Sequence, residues 1–63
     1  ISLESALKKL PDELREVIVL YYFNELKITE IAKNLGITVS LVKYRLKRGK
    51  TRLKQLIGGE MNE

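Results

Sequence analysis

Val42, Leu46, Gly49, Leu53 and Leu56 recur at steps of four, three, four and three residues. That spacing returns to one face of an α-helix at every turn and draws a narrow buried stripe. A strand is excluded, because its faces alternate at every second residue. A helix with one apolar stripe also needs neighbours to cover it, and here they come from the residues upstream.

Those residues read as three shorter helices. Ser2 can cap a first helix whose Leu3, Leu7 and Leu10 fall at i, i+4 and i+7. Pro11 ends it and is placed to start the next, with Asp12 and Glu13 in the first turn, where acids suit the helix dipole. The second helix is predicted to run to about Asn24 with Leu14, Val17, Ile18 and Tyr21 inside. From Val17 to Phe23 the run is apolar without a break, so this helix is greasy nearly all round. Nothing else in the chain could pair with it as a strand. Either it is the central helix, covered on several sides, or Val19, Tyr22 and Phe23 face a partner protein. Glu25 to Lys27 connects to a third helix over about Ile28 to Leu35, with Ile31, Ala32 and Leu35 inside. Gly36 follows where a helix end favours positive φ, Ile37 re-enters the core, and Thr38 can cap the last helix. The expected fold is all-α: a four-helix domain over residues 1–57 with a C-terminal helix-turn-helix. A flexible tail is expected over 58–63, beginning at Gly58-Gly59.

With 63 residues there is room for one small core. Cysteine and histidine are both absent, which removes disulfides, thiolate chemistry and the usual zinc ligand sets. No apolar run approaches the roughly 20 residues that span a bilayer. The first residues lack the basic start and apolar core of a signal peptide. The chain starts with Ile rather than Met, as a piece of a longer protein would.

The formal charge of +4 is unevenly placed. Thr38 to Ile57 holds seven basic residues and no acid, whereas residues 1–37 hold five basic and six acidic groups. A charge run is commonly only a solvated face. On the second helix of a helix-turn-helix, with no acid over twenty residues, it is better read as a footprint for DNA.

A helical wheel centred on Val42 puts Ser40, Tyr44, Lys47 and Thr51 opposite the stripe, flanked by Lys43, Arg48 and Lys54. Arg45 and Arg52 fall nearer the protein. Residues early in a recognition helix reach base edges and later ones meet the backbone. Ser40, Lys43, Tyr44 and Lys47 are therefore the candidates for bases. Arg45, Arg48 and Arg52 are the candidates for phosphates, joined by Thr29 and Lys33 of the preceding helix. Tyr44 has a second reading, with its ring laid over Leu41 or Arg48. Glu30 suits the first turn of its helix, or could bridge to Arg45 across the pair. With no partner acid or histidine nearby it is not a catalytic candidate, and the sequence offers no support for an enzyme.

These residues together resemble region 4 of bacterial sigma factors, in particular the compact extracytoplasmic-function type of the sigma-70 family. The matching positions begin with Leu10-Pro11, Arg15, Val17-Ile18, Leu20, Tyr22 and Leu26. They continue through Glu30-Ile31-Ala32, Leu35-Gly36-Ile37, Val42-Lys43, Arg45-Leu46, Arg48 and Leu53. The middle portion is common to many helix-turn-helix families. The Leu-Pro start with the late Arg-Leu-x-Arg-x-x-x-x-Leu pattern is more specific. Lys27 departs from the family's usual Ser or Thr cap, Leu41 and Tyr44 from its small hydroxyl residues, and Gly49 from its usual Ala. The resemblance implies a domain that binds the upstream (−35) promoter element in transcription initiation while docked on RNA polymerase core. It also implies an anti-sigma factor as a further partner, work in the cytoplasm, and no cofactor. Two other readings stay open: the output domain of a response-regulator or quorum-sensing type regulator, which shares Glu-Ile-Ala, and a protein-interaction module built on the apolar second helix.

Overall fold

The computed structural model describes residues 1–58 and contains four α-helices and no strand among them: α1 (Leu3–Lys8), α2 (Asp12–Ile18), α3 (Ile28–Leu35) and α4 (Val39–Ile57). Apart from Gly58, the expected tail lies outside the described residues.

The expected punctuation sets most boundaries. Ser2 Oγ accepts from Ser5 N at 3.1 Å, and Thr38 Oγ1 accepts from Leu41 N at 3.0 Å, each satisfying an otherwise orphaned first-turn amide. Gly36 takes φ 68°, and its neighbour Ile37 donates to Ala32 O at 3.0 Å, which closes α3 as a left-handed C-terminal turn should. Lys27 has no acceptor to offer as a cap, but Glu30 Oε1 reaches back to Lys27 N at 2.8 Å, giving half of a capping box. Arg15 ties α1 to α2. Its Nη1 donates to Lys8 O, the last residue of α1, at 3.4 Å and to Leu10 O in the connection at 2.9 Å, while its Nη2 pairs with Asp12 of its own helix.

The core is Ala6, Leu10, Val17, Ile18, Ile31, Ala32, Val42 and Leu46. Helix α4 runs beside all three others, so its stripe forms one wall of the interior. Gly49 is where α2 comes closest: an added Cβ would lie 2.8 Å from Ile18 Cγ1 and 3.1 Å from its Cδ1. Leu53 and Leu56 are only half-buried, because the short α1 covers the end of the stripe incompletely.

The second helix departs from expectation. It does not continue as α-helix to Asn24, since Val19–Phe23 forms a π-helical turn closed by Asn24 N to Val19 O at 3.0 Å. The wider turn breaks the inward spacing, so Tyr21 is 36% exposed rather than inside, and Leu20 and Leu26 pack on the core. Tyr22 and Phe23 are 47% and 55% exposed, so the expectation that neighbours cover this run on several sides fails at its C-terminal end. The chain is too short to supply the missing cover. Glu25 then reverses the chain at φ 59°, a left-handed conformation unusual for a residue with a Cβ.

Candidate nucleic-acid interface

Gly36 and the buried pair Ile31 and Ala32 hold α3 against the first half of α4, where Val42 and Leu46 are buried beside them. With that side of α4 fixed, the opposite side is turned to solvent. Ser40, Lys43, Tyr44, Lys47, Arg48 and Arg52 are all exposed, Tyr44 at 58%. Thr29 and Lys33 are exposed on α3. Eight of the nine candidate residues are therefore free to meet a ligand.

Arg45 is the exception. It is half-buried, and its Nη2 lies 4.0 Å from Glu13 Oε2 at the start of α2. The alternative bridge from Glu30 to Arg45 is not formed: Glu30 caps its own helix, and the acid beside Arg45 comes from α2. The sequence alone could not choose between the two acids, because the choice depends on how α2 crosses α4.

Lys50, Thr51, Lys54 and Gln55 are also exposed on α4. The wheel places Thr51 and Lys54 on or beside the outward face, whereas Lys50 falls only about 80° from Val42, near the buried side, and its exposure is legible only in the structure. Pro11, just before α2, and Leu14 on it form a shallow groove with Tyr44, Arg48 and Arg52. On the other side of α4, Tyr21 and Tyr22 face Lys43, Lys47 and Lys50, and the two rings stand edge to face with centroids 4.8 Å apart. A third groove is almost wholly apolar and is lined by Leu3, Leu7, Ile18, Phe23 and Leu53, with Lys50 and Lys54 at its rim.

A helix-turn-helix with its second helix studded by cations and free of acids defines a DNA-binding type of domain. The particular family follows from comparison. A family model described as Sigma-70, region 4, matches residues 1–53, and the chain belongs to that family. It is 39% identical over 59 residues to the RNA polymerase sigma factor SigZ of Bacillus subtilis (strain 168), covering 94% of this chain and 34% of SigZ. It is 43% identical over 54 residues to the ECF RNA polymerase sigma factor SigW of the same organism, covering 86% of this chain and 29% of SigW. The chain thus spans about a third of the length of these curated relatives. No solved structure gives a significant match. Membership in the region 4 family decides against the response-regulator reading. No described helix is long and apolar enough to cross a membrane.

Proposed function

We propose that this domain binds the upstream (−35) promoter element as the region 4 domain of an RNA polymerase sigma factor, in transcription initiation. The observation that carries the reading is the outward face of α4, cationic and without an acid, on a helix-turn-helix of the region 4 family. Ser40, Lys43, Tyr44 and Lys47, early on α4, reach base edges in the major groove. Arg48 and Arg52, with Thr29 and Lys33 of α3, hold phosphates and fix the register. Arg45 contributes to the phosphate set from the edge of the interface, where it also faces Glu13. The domain works in the cytoplasm, with no catalytic step of its own. RNA polymerase core is the partner that positions it, and the apolar groove ending at Phe23, with Lys50 and Lys54 beside it, supports a protein contact next to the lysine side of α4. An anti-sigma factor would compete for such surfaces.

Duplexes enriched by the chain from a random library provide the test, compared with unrelated duplexes across a salt series. Affinity should fall log-linearly with salt, at a slope reporting about four to seven neutralised phosphates. Lys33→Ala should weaken all duplexes alike and lower the slope by about one. Lys47→Ala should cost about 1–3 kcal/mol on enriched duplexes and less on unrelated ones. Affinity independent of salt, or no enrichment, would refute the reading.

A further inference from the structure

The cations of α4 are sorted by type. Lys43, Lys47, Lys50 and Lys54 recur at steps of four, three and four, and Arg45, Arg48 and Arg52 at steps of three and four. At about 100° per residue the lysines fall within a sector roughly 60° wide, and the arginines within another of roughly the same width. Ser40, Tyr44, Thr51 and Gln55, all uncharged and exposed, occupy the strip between them. The centre of each cationic sector lies about 80° from the middle of that strip, on opposite sides.

The surroundings agree with this division. The lysine edge looks toward Tyr21 and Tyr22. Arg48 and Arg52 look toward Pro11 and Leu14, and Arg45 toward Glu13. Lys47 and Thr51 border both grooves, which puts them on the crest of the helix.

A helix with its side chains is about 10–12 Å across, and the major groove of B-DNA is about 12 Å wide. When the crest faces the groove floor, each flank must therefore meet a different wall, and the two walls are the phosphates of opposite strands. We infer that α4 grips the two strands with different chemistry: the lysine edge holds one strand, the arginine edge holds the other, and the neutral strip with Lys47 faces the bases. This adds Lys50 as a phosphate contact and Thr51 as a base-facing residue, moves Lys43 from the bases to the phosphates of the lysine-held strand, and rests on the promoter-binding reading above. The two edges differ in how they hold. Lysine offers a mobile point charge, whereas arginine offers a planar fork that can donate two parallel bonds to one phosphate. The arginine strand is held in fixed register and the lysine strand loosely.

Lys50 and Arg52 make a matched pair, since they sit about 3 Å apart along the axis on opposite flanks. The chain would be titrated with an enriched duplex, either intact or carrying uncharged methylphosphonates across the site on one strand or the other. On the intact duplex, Lys50→Gln and Arg52→Gln should each lower the salt slope by about 0.9. On one neutralised duplex the lysine variant should produce no further drop while the arginine variant still does, and on the other duplex the pattern should reverse. Arg52→Lys should also weaken intact-duplex binding more than Lys50→Arg does. Loss of both effects on the same duplex, partial loss on each, or no slope change for Lys50→Gln on intact DNA would overturn the two-edged grip while leaving promoter binding in place. Failure to enrich any duplex would overturn both.

Discussion

Replacing Gly49 with Ala sets two effects of opposite sign against each other. In an unconstrained helix the change stabilises by about 1 kcal/mol, because Ala loses less backbone entropy than Gly. Here the new Cβ would meet Ile18 Cγ1 at 2.8 Å and Cδ1 at 3.1 Å, against an ordinary carbon–carbon separation of about 3.5–4.0 Å. Ile18 cannot easily yield, since it is 2% exposed within the core and Cγ1 lies close to its backbone. The Leu14 carbonyl oxygen, 3.6 Å from the same point, means that α2 itself is near. Overpacking of this kind costs about 1–3 kcal/mol. The clash should therefore win, leaving a net loss of about 1 kcal/mol, enough to lower the melting midpoint by roughly 4–8 °C in a domain of this size. The assay is thermal and urea unfolding followed by far-ultraviolet circular dichroism. Ile18→Val removes Cδ1 at a cost of about 0.5–1.5 kcal/mol, and combined with Gly49→Ala it should cost less than the sum of the two single changes. A Gly49→Ala variant more stable than the parent would refute the close approach of α2 and α4 at this point.

Other changes follow from the same structure. Lys27→Ser should complete the capping box by accepting from Glu30 N and stabilise by about 0.5–1 kcal/mol in urea unfolding, while Glu30→Ala separately removes the bond from Lys27 N; no gain for Lys27→Ser would contradict the N-cap geometry at this position. Leu46→Ala should destabilise by about 2–5 kcal/mol, and Leu53→Ala, at a half-buried site, by less; equal losses in unfolding would mean that the end of the stripe is better covered than the structure has it. Glu25→Gly should be neutral or stabilising by up to about 1 kcal/mol, because glycine takes φ 59° without a steric penalty, and a clear drop in melting midpoint would contradict that backbone assignment.

Local rules made much of this architecture readable. Ser2, Gly36 and Thr38 act within three residues of their own positions, so the residue type alone announces the boundary. The α4 stripe was equally legible, because nineteen residues of regular spacing leave little doubt about which side is buried. What escaped was set by tertiary geometry. Nothing in the run from Val19 to Phe23 marks a π-turn, and its apolar character argued for burial that the short chain could not provide. Glu25 carries no signal for a left-handed residue, whereas the preceding Asn24 is the more usual choice. The outward set on α4 was correct in exposure because the stripe fixes it by subtraction. Arg45 was the weak point, since it sits at the boundary where a few degrees of helix rotation decide between solvent and Glu13.

The continuity of α4 ties the stability of the domain to its occupancy. Val42, Leu46 and Gly49 are buried on the same turns that present Tyr44, Lys47 and Arg48, so no part of the fold can persist as a platform once the reading helix melts. A ligand at one hundred times its dissociation constant adds about 2.7 kcal/mol to the folded form. For a domain of this size, whose single core supplies only about 3–5 kcal/mol, that roughly doubles the margin against unfolding. If the domain binds DNA as proposed, its unbound form therefore opens about a hundred times more often than the occupied one.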